Sequence, residues 1–103
     1  MQNEKKEYLK QYMYQESVIR SLNQLALINP EKKDIYRDKI SQALEIRSDI
    51  EQKISSVEDT VLREVLYNKY IFGKTLEEIS YILNYSKRHI ERLHIKALEK
   101  IEI

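Results

Sequence analysis

A single proline, Pro30, and a single glycine, Gly73, are the only strong helix breakers in this chain of 103 residues. Both lie between segments whose apolar residues recur every three or four positions, as they do on one face of an α-helix. In residues 3–28 this face consists of Tyr8, Tyr12, Ile19, Leu22 and Ala26. The pattern predicts an all-α protein whose helices are separated at these two breakers.

The second segment is predicted to begin at Asn29, as a capping residue, with Pro30 at the first helical position and Glu31 near the positive helix end. Its apolar residues alternate in spacings of four and three, as in a coiled-coil seam. They are Tyr36, Ile40, Ala43, Ile50, Ile54 and Val57. Arg47, the polar residue in this seam, either fixes the register or extends its stem to solvent. We expect an antiparallel, coiled-coil-like helical hairpin over residues 1–55.

Residues 56–103 are predicted to form a second domain of three helices. Ser55 and Glu58 have the spacing of a capping box, which would open a third helix that ends at Gly73. The apolar residues of that helix are Val61, Leu62, Val65, Leu66 and Tyr70. It is followed by a region, residues 75–93, with signals for two short helices and a tight corner.

The corner signals are specific. Thr75 and Glu78 form another capping box, Asn84 tolerates the left-handed backbone of a turn, and Ser86 can cap the next helix. Tyr85 is predicted to fill the corner from inside. Ile90, Leu93, Ala97, Leu98 and Ile101 then mark one buried face. Two short helices around such a corner are typical of a helix-turn-helix, whose second helix can enter the DNA major groove.

Residues 57–101 resemble region 4 of bacterial sigma factors. The similarity lies in the segments Leu62-Arg63-Glu64-Val65-Leu66, Leu76-Glu77-Glu78-Ile79 and Ala97-Leu98-Glu99-Lys100-Ile101. With the hairpin in front, the chain resembles the small phage-encoded transcriptional regulators of the ArpU and RinA kind. This resemblance implies a sequence-specific transcription regulator of phage or prophage origin. It also implies that the helix starting at Ser86 reads the major groove.

The candidate DNA-binding residues are Lys74, Thr75, Ser86, Lys87, Arg88, His89, Arg92 and Lys96. The resemblance places Lys87, Arg88 and Arg92 at outward positions of the reading helix. Arginine can donate two hydrogen bonds to a guanine edge, and lysines suit phosphates. The region 86–100 also has three more basic than acidic residues, although the net charge of the whole chain is only +1. The alternative for Arg88 and Arg92 is an ordinary solvated helix face.

A second function fits the nearly neutral charge: a helical interaction module that binds RNA polymerase or another regulator without touching DNA. The hairpin would provide a surface for homodimerisation or for a polymerase contact in either case. We expect no enzyme activity, because no phosphate-binding glycine loop, thiol nucleophile or local catalytic set occurs. Without cysteine, disulfides and thiolate metal sites are excluded.

The remaining expectations concern location, metals and tyrosines. No apolar run approaches membrane-spanning length and no signal-peptide core occurs at the start, so we expect a cytoplasmic protein with no membrane partner. His89 and His94 are five residues apart, which argues against a metal or other cofactor. His94 falls on the buried side with Leu93 and Ala97, which favours a core or interhelix hydrogen bond for it.

The tyrosines divide into two groups. Five are assigned to apolar faces: Tyr8, Tyr12, Tyr36, Tyr70 and Tyr85. Three are assigned to the surface or to an interface: Tyr14, Tyr67 and Tyr81.

Overall fold

The computed structural model describes residues 2–103, and this range is helical without any strand. The helices are α1 (Gln2–Ile28), α2 (Lys33–Ser55), α3 (Thr60–Leu66), α4 (Leu76–Leu83) and α5 (Lys87–Glu99). A 3-10 turn, Pro30–Lys32, precedes α2, and a π-helical turn, Tyr67–Ile71, extends α3. The all-α class predicted from the sequence is therefore confirmed for the described residues.

Helices α1 and α2 run antiparallel and pack along their length. Near the start of α1, Tyr12 Oη donates a 2.7 Å hydrogen bond to Glu51 late in α2. Near the end of α1, Ala26 lies beside Tyr36 early in α2. Burial raises the pKa of Tyr12 to about 12, and its hydrogen bond to the Glu51 carboxylate adds to the effect. The phenol therefore stays protonated and acts as the donor.

Arg47, the polar residue of the α2 seam, bridges the two helices. Its Nη1 donates to Glu16 Oε1 at 2.9 Å, and its guanidinium carbon lies 5.6 Å from the centre of the Tyr12 ring. The side chain is half-buried, so the stem covers apolar surface while the charge is paired. This contact ties Arg47 to one position along α1, which is what a register-setting residue does.

One apolar cluster joins the first two helices to α3, α5 and the π-helical turn. Its buried members are Leu9, Tyr12, Ile50, Ile54, Val57, Leu62, Leu66, Tyr70, Ala97, Leu98 and Ile101. A smaller cluster of Val65, Ile79 and Ile90 lies where α3, α4 and α5 meet. Each such aliphatic side chain contributes about 1.5 to 3 kcal/mol on full burial. The C-terminal helices are thus fixed against the open end of the α1–α2 pair.

The start of the second helix differs from the sequence prediction. Asn29 makes no side-chain capping hydrogen bond, and the chain first forms the 3-10 turn that begins at Pro30. In that turn the Lys32 amide donates to the Asn29 carbonyl at 3.0 Å. The turn is therefore closed by the backbone of Asn29 and not by its side chain, and the α-helix begins at Lys33.

The predicted Ser55–Glu58 capping box is also wrong. Helix α2 continues through Ser55, whose Oγ donates to the Gln52 carbonyl at 3.0 Å. The cap of α3 is Asp59, whose backbone is extended and whose Oδ1 accepts from the Leu62 amide at 3.0 Å. A capping residue must have a non-helical backbone, which Asp59 has and Ser55 lacks. Val57 accordingly lies outside α2, although its side chain is buried in the main cluster.

The third helix ends as predicted, at Gly73. In the preceding π-helical turn the Phe72 amide donates to the Tyr67 carbonyl at 3.0 Å, one residue further back than in an α-helix. Gly73 then has a φ of +71°, where a side chain would be strained. The buried Asn68 closes this end, because its carbonyl accepts from the Lys74 amide at 2.8 Å, while its Nδ2 donates to the Glu64 carbonyl at 2.8 Å.

Candidate nucleic-acid interface

Helix α4 is opened by the predicted capping box. The Thr75 Oγ1 accepts from the Glu78 amide at 3.1 Å, and Glu78 Oε1 accepts from the Thr75 amide at 3.0 Å. These bonds favour the carboxylate, so they hold the pKa of Glu78 below its ordinary value. With Glu77 beside it, the acidic first turn of α4 matches the positive end of the helix dipole.

The corner between α4 and α5 also follows the sequence prediction. Asn84 ends α4 in the left-handed conformation, with φ 61° and ψ 45°. The next amide, that of Tyr85, donates back to the Ser80 carbonyl at 3.0 Å. Ser86 is then the cap of α5, since its Oγ accepts from the His89 amide at 3.1 Å. The two helices therefore meet around three residues whose conformations are fixed by hydrogen bonds.

The small side chain of Ser80 lies where α4 comes close to its neighbours. Ser80 is buried, and its Oγ donates to the Glu77 carbonyl at 2.5 Å, so the hydroxyl has a partner. Ile79 and Ile90 are fully buried against Val65 at the same crossing. This packing fixes the orientation of α5, so that one side of it faces the core and the other faces solvent.

The exposed side of α5 is mostly basic, with Glu91 and Glu99 as its exposed acidic residues, and none of its side chains is in an ion pair. Lys87, Arg88, Arg92 and Lys96 are all exposed. The ion pairs within residues 2–103 are Lys10–Glu7, Arg37–Asp34 and Arg47–Glu16, none of which involves α5. The first turn of α5 also contains no acidic residue, in contrast to α4. Positive side chains therefore lie at the positive end of a helix, an arrangement that weakens the helix slightly and attracts anions.

Not all predicted site residues share this face. His89 is half-buried, and its ring packs edge-on against Tyr85 with 4.8 Å between ring centres. Thr75 and Ser86 use their hydroxyl oxygens to cap helices. Lys74 lies in the segment before α4, where its amide donates to the Asn68 carbonyl at 2.8 Å. Arg88 and Arg92, four residues apart, form the centre of the exposed face.

Tyr85 does not fill the corner from inside as predicted. Its side chain is 41% exposed and lies at the rim of a groove of about 480 Å³ between α3 and α5. The left-handed turn at Asn84 directs the Tyr85 ring along α5 toward His89, and the core beneath the corner is filled by Ile79 and Ile90. The apolar floor of the groove is formed by Val61, Leu62 and Leu93.

Ile95 is a member of the exposed face that was missed in the sequence. It follows Arg92 by three residues and Arg88 by seven, so the three side chains lie on one side of α5. Its side chain is 52% exposed. The signal that could have identified Ile95 was its position, since it is an apolar residue at the helical spacing of the arginines and not of the core.

His94 faces the opposite side, as predicted. It is buried, and its Nε2 lies 2.7 Å from Tyr70 Oη in an interhelix hydrogen bond. Burial lowers the pKa of His94 to about 4, and the positive charges of Lys6 and Lys69 act in the same direction. Burial also raises the pKa of Tyr70 to about 12. His94 is therefore a neutral core residue at neutral pH.

No protein-family model, curated protein or solved structure matches this chain. None of the helices in residues 2–103 has both the length and the apolar composition needed to cross a bilayer. The same residues contain no cluster of three or more His, Asp or Glu side chains arranged to hold a metal ion.

Proposed function

We propose that this protein is a sequence-specific DNA-binding transcriptional regulator. In this proposal residues 1–55 form a helical hairpin, and residues 56–103 form a three-helix helix-turn-helix domain similar to sigma factor region 4. The protein would belong with the phage or prophage regulators of the ArpU and RinA kind and act in the cytoplasm. The observation that carries the proposal is the exposed face of α5, where Arg88 and Arg92 lie side by side without a carboxylate partner.

The proposed reading mechanism follows from the chemistry of this face. With α5 in the major groove, the guanidinium groups of Arg88 and Arg92 each donate two hydrogen bonds to O6 and N7 of a guanine, at about 1 to 3 kcal/mol of discrimination per pair. The branched side chain of Ile95 suits an apolar contact with a thymine methyl group. The expected site thus combines guanines with a thymine further along α5.

Phosphate contacts would hold α5 in the groove. Lys87 and Lys96 lie at opposite ends of the basic face, and Lys74 lies just before α4. The amides at the start of α5, whose first turn has no acidic residue, provide further anion-binding groups. Each neutralised phosphate contributes a slope of about −0.9 to the plot of log K against log salt concentration. Binding is therefore expected to weaken steeply as salt is added.

The proposal is tested by selecting bound duplexes from random DNA with the full chain. We expect an enriched motif for the natural sequence and none for the double variant Arg88→Ala/Arg92→Ala, whose exposed positions leave the core intact. Circular dichroism spectra of the two proteins should coincide. Failure to enrich any sequence at low salt would overturn the proposal.

A second candidate function is supported by a different surface. Tyr81 is 79% exposed on α4, beside the exposed Ile82 and near the acidic first turn of that helix. Exposed aromatic and aliphatic residues next to carboxylates suit a basic, partly apolar protein surface. This arrangement fits the alternative in which the protein binds RNA polymerase or another regulator without touching DNA.

The two candidates respond to different substitutions. Tyr81→Ala should abolish capture of purified RNA polymerase if the protein acts only as an interaction module, while Arg92→Ala should leave this capture unchanged. The DNA-binding proposal expects the reverse dependence in a duplex-binding assay. Both substitutions lie on exposed helix positions, so each serves as the control for the other.

A further inference from the structure

We propose that two copies of this chain associate through one uncharged face of α1, in an antiparallel contact centred on Ser21. This face is defined by Tyr14, Val18, Ser21, Leu25 and Ile28. Their spacings are four, three, four and three residues, so they form a straight stripe along the helix. The inference goes beyond DNA binding and does not depend on it.

The stripe is separate from the surfaces of α1 that are already covered. The side of α1 that faces α2 has the same spacing one residue later, about 100° further around the helix. Its residues are Gln15, Ile19, Leu22 and Ala26. On another side, Met13 lies against Gly73, and Lys5 Nζ donates to the Glu99 carbonyl at 3.4 Å. The C-terminal helices therefore leave the stripe uncovered.

Its apolar members are strongly exposed within one chain. Tyr14 is 61% exposed and Ile28 is 73% exposed, while Leu25 and Val18 are only partly covered. The intervening surface consists of small or neutral polar side chains, Ser17, Ser21 and Gln24. An exposed helix face with regularly spaced apolar residues and small residues between them can pack closely against another helix.

The absence of charge is the second observation. Between Gln11 and Asn29 the only charged residues are Glu16 and Arg20, in a chain of which 34% is charged. Glu16 is turned toward Arg47, and Arg20 follows it by four residues on the same side. The stripe itself therefore carries no charge. Protein interfaces are depleted of charge at their centres, whereas solvated helix faces are usually rich in it.

The spacing identifies the partner as a second copy. The stripe is symmetric about Ser21 to within one residue: Tyr14 and Ile28 lie seven positions on either side of it, Val18 lies three before it and Leu25 four after it. When two such helices cross antiparallel, Tyr14 faces Ile28 of the second copy, Val18 lies within one residue, about 1.5 Å of helix rise, of its Leu25, and the two Ser21 residues meet at the two-fold axis. A two-fold contact requires this self-complementarity, and neutral faces meet without repulsion.

The test measures the mass of the full chain by light scattering, without DNA, from low to high micromolar concentration. We expect the mass to rise toward twice the 12.5 kDa of one chain. Ser21→Glu should stay at the mass of one chain, because two like charges would meet at the axis. Leu27→Glu is the matched control on the same helix, since Leu27 is 83% exposed outside the stripe, and it should associate normally.

A charge-swap experiment then tests the two-fold axis. Ser21→Glu and Ser21→Lys should each be monomeric, and an equimolar mixture should recover the doubled mass.

A cysteine cross-link tests the same axis. Because the chain has no cysteine, Ser21→Cys should form a disulfide-linked dimer on oxidation, whereas Ser41→Cys on an exposed position of α2 should not. A natural chain that stays monomeric, or an unaffected Ser21→Glu variant, would overturn the inference. DNA binding by such a monomer would leave the proposed function standing.

Discussion

Tyr70 and His94 are 24 positions apart in the chain and meet in the core, where Tyr70 Oη and His94 Nε2 lie 2.7 Å apart. Tyr70 belongs to the π-helical turn after α3, and His94 lies on the buried side of α5. Their ring centres are 5.6 Å apart. This polar contact between two buried side chains fixes how α5 lies against α3, and so which residues of α5 face outward.

Removal of the Tyr70 hydroxyl should destabilise the fold. In Tyr70→Phe the ring still fills its place, but His94 Nε2 loses its partner in a buried site. We expect the free energy of unfolding to fall by about 1 to 3 kcal/mol in urea titrations. Tyr81→Phe, on an exposed residue, is the control and should change stability by less than about 0.5 kcal/mol. Equal effects of the two substitutions would contradict the role given to the hydrogen bond.

Stability should also depend on pH through His94. Its pKa is about 4 in the fold, against an ordinary value of 6.5. At pH values between about 4 and 6.5, His94 binds a proton in the unfolded chain but not in the folded protein. The contribution of His94 is therefore fully present above pH 6.5 and is lost as the pH falls toward 4, by about 1 to 3 kcal/mol.

This dependence is isolated by comparison with a variant that has no imidazole. Urea unfolding of the natural chain and of His94→Gln would be measured at neutral pH and at several values down to the folded pKa. The variant should lose less stability on acidification, because its carboxylates titrate as before while the buried imidazole is gone. Parallel curves for the two proteins would contradict the assignment.

The cap of α3 is Asp59 in the structure, whereas the sequence pattern predicts a Ser55–Glu58 capping box, and substitutions can distinguish the two. Asp59→Ala removes the acceptor of the Leu62 amide and should cost about 1 kcal/mol of stability. Glu58→Ala, the residue of the capping box predicted from sequence, should be nearly neutral because its side chain caps nothing. Thermal unfolding followed by circular dichroism would compare them. A larger loss for Glu58→Ala would favour the sequence-based assignment.

DNA binding should depend on Arg92 and not on an arginine elsewhere. Arg92→Ala should weaken binding to the selected site by about 1 to 3 kcal/mol and relax the base preference at one position. Arg37→Ala, on the exposed surface of α2, removes the same charge far from α5 and should have little effect. Fluorescence anisotropy with the selected duplex would measure both. An Arg92→Ala protein with unchanged affinity and preference would remove Arg92 from the reading set.

Local hydrogen bonds explain why part of the candidate site could be predicted from the sequence. The Thr75–Glu78 box, the left-handed Asn84 and the Ser86 cap each involve residues within three positions of one another. Their geometry depends on side-chain reach and backbone sterics, which the sequence displays directly. The same spacing rule failed at Ser55–Glu58, because α2 continues through Ser55, with Ile54 and Val57 packed in the core, and the cap falls on Asp59, the last non-helical residue before α3.

The sequence by itself determined that the chain is helical, where its two breakers interrupt it and which side of α5 is apolar, since these follow from periodicity and backbone preference. Only the tertiary structure decided what each remaining side chain meets. It pairs Arg47 with Glu16, joins Tyr70 to His94, turns Tyr85 toward His89 and leaves Ile95 and the Ser21 stripe exposed. The physical reason is that burial and hydrogen-bond partners come from helices distant in the chain, whose relative positions no local spacing contains.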